Sequence, residues 1–126
     1  MNAQELINSL KAQDVNLDLL IAALEEQKYA IMRNDFVALE EAIINEQKIL
    51  KNINREETFI LKFIKDIGEQ LSLDLKVYSI NNLITQAKSY FGKELHELEK
   101  VRTSVRQKVY KTSNINMQLM NSFQKI

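Results

Sequence analysis

Apolar side chains in the first 33 residues recur at alternating steps of three and four, the period of an amphipathic helix. Asn2, followed three positions later by Glu5, predicts the N-terminal cap of this helix. The helix is expected to end near Arg33, because Asn34 tolerates a left-handed backbone and Asp35 is a strong N-cap for the next helix. The chain should therefore reverse here into an antiparallel hairpin.

The second helix shows an unbroken heptad seam that runs from Phe36 to Leu71. Further apolar residues flank the seam and widen the apolar stripe, so this helix is expected to be the central one. Glu46 and Glu57 occupy seam positions, and we interpret them as polar layers that fix the register, with Glu57 near the level of Lys11 and Gln13. A catalytic pair is disfavoured, because eleven residues of helix separate the two carboxylates by roughly 16 Å.

The remainder of the chain predicts a crossover and a last long helix. Gly68 and residues 72–78 mark the end of the second helix, Ser79 can cap a short helix to about Tyr90, and Gly92 is expected to break or kink the chain before the last helix. Projection at about 100° per residue gives the last helix one apolar stripe with Asn116 inside it. The predicted fold is all-α: an elongated antiparallel three-helix bundle or coiled coil with a short crossover helix.

Composition supports this fold and limits the chemistry. The 126 residues include two glycines, no proline and no cysteine, which disfavours sheets with frequent tight turns and excludes disulfides and thiolate chemistry. The one histidine, His96, projects toward solvent, and no metal site or cofactor is expected. Because no nucleophile with its base and no glycine-rich phosphate loop is present, an enzyme is not expected either.

The net charge of zero hides an uneven distribution. Residues 1–63 carry 11 acids and 7 bases, residues 64–126 carry 6 acids and 10 bases, and no acid follows Glu99. A solvated basic face is the simplest interpretation, and attraction of an acidic protein segment is preferred to nucleic acid, which would need aromatic or groove-reading partners. The bases concerned are Lys100, Arg102, Arg106, Lys108, Lys111 and Lys125.

The segment from Ile115 to Ile126 is the candidate binding region, because it combines methionines with large apolar residues. It can complete the core of the bundle, or it can present an adaptable apolar surface on which a partner's amphipathic helix docks. Both interpretations hold if the stripe is wider than the bundle covers. The candidate binding residues are Asn116, Met117, Leu119, Met120, Phe123 and Ile126.

The sequence resembles the FlgN family of flagellar export chaperones. The resemblance is densest from Leu24 to Leu39, continues to Leu50, and reappears in the Asn116–Met120 stretch, which is similar to the C-terminal motif of that family. The resemblance implies a single chaperone domain over 1–126, divided into a hairpin (1–71), a crossover (72–92) and a client-binding helix (93–126).

The resemblance also implies a function and partners. Members of the family bind the C-terminal helices of hook-filament junction (hook-associated) proteins, keep them unassembled and deliver them for export. Contacts with the export apparatus and self-association are left open, and no nucleic acid or membrane insertion is expected. Because no apolar run is long enough to span a bilayer and no basic segment leads into an apolar one at the N-terminus, we expect a cytoplasmic protein. The alternative is a structural adaptor or dimerisation module.

Overall fold

The computed structural model describes residues 3–86 and 88–124, with side chains over 4–86 and 93–121. These residues form four helices and no strand, which confirms the all-α prediction. The helices are α1 (Ala3–Met32), α2 (Phe36–Gln70), α3 (Ile80–Gln86) and α4 (Lys88–Gln124). The predicted cap at Asn2 lies outside the described residues.

The turn between α1 and α2 forms as its residue types predict. Asn34 adopts the left-handed conformation with φ of 56°, and the backbone N–H of Asp35 donates to the carbonyl of Ala30 over 2.9 Å, which closes the last turn of α1. The Asp35 side chain then accepts a hydrogen bond from the backbone N–H of Ala38 and caps α2. Two consecutive polar residues thus end one helix and begin the next.

The end of α2 likewise has a residue other than glycine in the left-handed conformation. Ser72 has φ of 54°, and the N–H of Leu73 donates to the carbonyl of Gly68 over 2.8 Å. Gly68 itself makes room for the crossover, because a Cβ atom there would lie 2.7 Å from Cδ1 of Leu75. The crossover therefore folds back over the last turn of α2.

The short helix α3 begins as predicted. The Ser79 hydroxyl accepts a hydrogen bond from the N–H of Asn82 and caps the helix. However, α3 ends at Gln86, and α4 already begins at Lys88 and continues through Gly92. The prediction of a break at Gly92 was wrong, because one glycine costs a helix only about 1 kcal/mol relative to alanine.

Helix α1, and not α2, is the central helix. It packs antiparallel to α2 and parallel to α4, whereas no Cα atom of α2 lies within 8 Å of one in α4 among the described residues. The apolar stripe of α1 is fully covered because it serves both neighbours, and its most buried members are Leu6, Leu10, Leu17 and Leu24. The expectation that α2 would be central therefore failed, although its stripe is the wider one in sequence.

Candidate functional site

The predicted binding segment of α4 contains both buried and exposed side chains. Met117 and Met120 are 59% and 37% exposed, whereas Asn116 is only 4% exposed and Leu119 is half-buried. The side chain of Phe123 and all of Ile126 lie outside the described residues. Of the four candidate residues whose side chains are described, Met117 and Met120 are accessible to a partner, and Asn116 takes part in the packing of α4.

Asn116 joins α4 to α1. Its Nδ2 atom donates to the backbone carbonyl of Leu24 over 2.7 Å. Because this hydrogen bond is buried, it fixes the axial position of α4 along α1. The Oδ1 atom of the same side chain is buried and accepts no hydrogen bond from the described residues. A buried acceptor without a donor is uncommon in folded proteins.

An open groove lies between α2 and α4 at this level, with α1 as its floor. We call it the α2–α4 groove; it has a volume of about 260 Å³. Gln27 on the floor donates its amide to Glu46 Oε1 on the α2 wall over 2.9 Å, which confirms Glu46 as a polar layer. The groove is lined by Leu24, Gln27, Glu46, Ser113, Asn116, Met117, Met120 and Asn121.

The heptad seam of α2 is only partly covered in the half of the helix near the hairpin turn. Phe36 is 74% exposed and Leu50 is also exposed, while Leu39 and Ile43 are half-buried. Farther along α2 the seam closes fully, at Ile60, Ile64 and Ile67. In the hairpin half the buried residues are instead Ala42 and Ile49, which lie beside the seam, and Glu46 is the seam residue that lines the groove.

A second polar layer crosses the middle of the bundle and includes a buried arginine. Arg102, 4% exposed, donates to Gln13 Oε1 over 2.6 Å, to Glu57 Oε2 over 2.7 Å and to Glu99 Oε2 over 3.2 Å. Gln13 also donates to Glu57 over 2.9 Å, which confirms the predicted level of Glu57. The layer thus ties all three long helices together.

This layer corrects the prediction of a free basic face on α4. Arg102 and Arg106 both pair with Glu57, so two of the six bases after Glu99 are already neutralised within the bundle. Lys100, Lys108 and Lys111 are exposed, and Lys125 lies outside the described residues. The positive surface that could attract an acidic partner is accordingly smaller than the sequence count indicates.

The layer also shifts the pKa values of two carboxyl groups in opposite directions. Burial disfavours the ionised form of Glu57, but the hydrogen bond from Gln13 and the charges of Arg102 and Arg106 outweigh it and lower the pKa of Glu57. Burial raises the pKa of Asp14, and the neighbouring Asp18 adds to this effect while Arg102 opposes it. Oδ1 of Asp14 is buried without a hydrogen bond from the described residues.

The sequence contained a signal for the buried Arg102 that charge counting alone obscured. On the projection that defines the stripe of the last helix, with Ile115 at zero, Arg102 falls at about 140°, inside the apolar sector. The buried side of α4 is centred near Asn116 and Arg102, so Val101 and Ile115 at the other edge of the stripe remain exposed. The stripe is wider than the bundle covers.

Other sequence features stay outside this region. His96 is exposed, as its projection predicts, and no cluster of three or more side chains suited to metal binding occurs among the described residues. None of the helices, over the part of the chain described, is long and apolar enough to cross a membrane.

Comparison with known proteins gives one result. The family model described as FlgN protein matches residues 1–126, the whole chain. No curated protein and no solved structure gives a significant match.

Proposed function

Because this chain belongs to the FlgN family, a family of flagellar export chaperones, we propose that it binds the C-terminal amphipathic helices of hook-filament junction proteins. In this proposal it works in the cytoplasm, keeps these clients unassembled and delivers them for export. The observation that carries the proposal is the pair of accessible methionines, Met117 and Met120, beside an open groove. They lie on the helix whose C-terminal motif resembles that of the family.

The physical case rests on what a client helix would cover. Met117 and Met120 offer flexible apolar side chains that adapt to more than one client. The α2 wall is formed by Glu46, and the half-buried Ile43 and the exposed Leu50 lie three and four residues from it, on the same face of the helix. A helix that lies between the two walls would remove both from water, as in other helix-in-groove complexes.

We also propose that the protein acts by binding and not by catalysis. Each carboxylate of the α2 seam is engaged in the packing of the bundle: Glu46 by Gln27, and Glu57 by Gln13 and Arg102. These contacts suit groups that hold helices in register.

The experiment is a titration of the full chain with C-terminal segments of the hook-filament junction proteins encoded in the same genome. We expect wild-type binding, and a loss of affinity of about tenfold or more when Met117→Ala and Met120→Ala are combined, because buried anchor residues dominate such interfaces. Melting temperature should stay nearly unchanged, since both side chains are exposed.

The matched control is Val15→Ala, which shortens an apolar side chain that is 62% exposed on α1. This variant should bind like the wild type. An equal loss in the control, or a large fall in melting temperature for the methionine variant, would contradict the assignment of these residues. Absence of binding by every junction segment, together with a stable dimer, would favour the dimerisation module instead.

A further inference from the structure

The α2–α4 groove has a specific arrangement of hydrogen-bonding groups on its floor. The amide of Gln27 is used by Glu46, and the amide of Asn116 is used by the carbonyl of Leu24. What remains is Oδ1 of Asn116, which is buried and unpaired. Glu46 Oε2 likewise accepts no hydrogen bond from the described residues. The inner part of the groove therefore offers acceptors and negative charge.

The groove also lacks a cation of its own among the residues that line it. Its lining contains one carboxylate, Glu46, and no lysine or arginine. The two arginines of α4 with described side chains, Arg102 and Arg106, pair with Glu57, eleven residues farther along α2. Glu46 thus has no charged partner within the described part of the chain.

A purely apolar helix is therefore a poor occupant. Such a helix would strip water from the Glu46 carboxylate without replacing its hydrogen bonds, and an unpaired buried carboxylate is strongly unfavourable. A helix with an acidic residue at this level would be worse, because two like charges would share one desolvated site. An occupant with a lysine or arginine at this level would satisfy the carboxylate.

We propose that the occupant of the α2–α4 groove is an amphipathic client helix that carries a lysine or arginine opposite Glu46. Its flanking apolar side chains contact Met117 and Met120 on the α4 wall. Either a lysine or an arginine side chain would supply the donor and the positive charge that Glu46 lacks within the described residues. The inference rests on the proposed function and adds to it the charge that the client must bring.

This proposal requires a positive charge on the client, whereas attraction by the lysines of α4 requires a negative one. Lys100, Lys108 and Lys111 are exposed and do not line the groove. The two ideas can be separated, because neutralising Glu46 and neutralising the three lysines should change affinity in different variants. Charge at the groove also provides discrimination, since it penalises helices that are apolar but lack the cation.

The test uses the full chain and the junction-protein segments described above as probes. Glu46→Gln keeps an oxygen for Gln27 but removes the charge, and it should weaken binding by about tenfold or more at low salt. The affinity of this variant should also depend less on salt than that of the wild type. Glu40→Gln, an exposed carboxylate on the same helix, is the matched control and should bind like the wild type.

A second measurement keeps the result independent of any effect of Glu46→Gln on folding. Each lysine and arginine of the probe is changed to glutamine in turn, and one of these changes should cost affinity in the wild type but almost none in Glu46→Gln. Such coupling between two residues would identify the pair. Coupling to none of the client cations would overturn the proposal.

The outcomes separate this inference from the proposed function. Tight binding that is unaffected by Glu46→Gln, or lost only when Lys100, Lys108 and Lys111 are all changed to glutamine, overturns the inference and leaves the proposed function standing. No binding of any junction segment to the wild type overturns both. A dimer whose dissociation constant changes in Glu46→Gln would assign the groove to a second copy of the chain, and would also overturn the inference.

Discussion

Nη2 of Arg102 lies 2.7 Å from Oε2 of Glu57, although the backbones of α2 and α4 approach no closer than 8 Å between Cα atoms in the described residues. The long arginine side chain spans the gap that the backbones leave. It is buried among polar groups of all three long helices, so the middle of the bundle is held by a charged layer between apolar ones. The α2–α4 groove begins on the hairpin side of this layer.

Removal of the arginine should destabilise the fold strongly. Arg102→Met leaves Glu57 and Glu99 without their buried counter-charge, and breaking such a pair by removing one partner costs about 3 kcal/mol. The free energy of unfolding, measured by urea denaturation at pH 7, should fall by roughly this amount.

Arg106→Met provides the matched control, because Arg106 pairs with the same carboxylate but its side chain is 46% exposed. The free energy of unfolding should change by less than about 1 kcal/mol, as for other exposed ion pairs. Equal losses in the two variants would show that burial of Arg102 contributes nothing to its role.

The pH dependence of stability should carry the signature of Glu57. Its pKa is lowered in the folded state, so the unfolded chain binds more protons in the window below the usual glutamate value. The contribution of Glu57 to the free energy of unfolding should therefore be fully present above that value and should be lost as the pH falls through the folded pKa. Urea denaturation between about pH 3 and pH 7 should show a smaller loss in Glu57→Gln than in the wild type.

Asp14 should contribute with the opposite sign. Its pKa is raised, so the folded chain binds more protons in the window above the usual aspartate value, and the contribution of Asp14 to stability falls as the pH rises through that window. Asp14→Asn should remove this fall and raise the free energy of unfolding at pH 7, by about 1 kcal/mol or less. Asp18→Asn should raise it less, because Asp18 is exposed. A lower stability of Asp14→Asn at pH 7 would contradict this assignment.

The sequence predicts those parts of the fold that depend on local chemistry. Asn34 and Asp35 determine the turn between α1 and α2 through backbone preference and capping, and Ser79 caps α3 in the same way. The prediction of a break at Gly92 was wrong because the free-energy cost of one glycine in a helix is small compared with the stabilisation from packing a long helix on α1.

The central helix and the groove could not be predicted from periodicity. Periodicity shows which face of a helix is apolar, but it does not show which neighbour covers that face. Leu50 and Ile64 occupy the same heptad position of the α2 seam, yet Leu50 is exposed and Ile64 is buried. The difference arises because Ile49, next to Leu50, is the residue that packs against Leu20, Ala23 and Leu24 of α1.

The two left-handed helix ends should accept glycine with a gain in stability. Asn34 and Ser72 both have positive φ, which costs residues with a Cβ atom about 1 kcal/mol and costs glycine almost nothing. Ser72→Gly should raise the free energy of unfolding by about 0.5–1 kcal/mol. Asn34→Gly should gain less, because asparagine already tolerates this conformation. Ser72→Ala should gain nothing, and a gain equal to that of glycine would show that the backbone at this position is not left-handed in solution.

Asn116 should control how firmly the C-terminal part of α4 docks on α1. Asn116→Ala removes its hydrogen bond to the carbonyl of Leu24, and a net loss of about 1 kcal/mol is expected for one such bond, reduced by relief of the unpaired Oδ1. Because the bond lies near the end of the helix, the loss should appear as local opening before global unfolding. Amide hydrogen exchange over residues 113–121 should become up to about fivefold faster, while exchange in the crossover-end core around Ile64 stays unchanged.

Asn114→Ala, two residues away and without a hydrogen bond to α1, is the control and should leave the exchange pattern as in the wild type. Slower exchange in Asn116→Ala would mean that the unpaired oxygen costs more than the hydrogen bond contributes, and that Asn116 is retained for contact with a partner that donates to it.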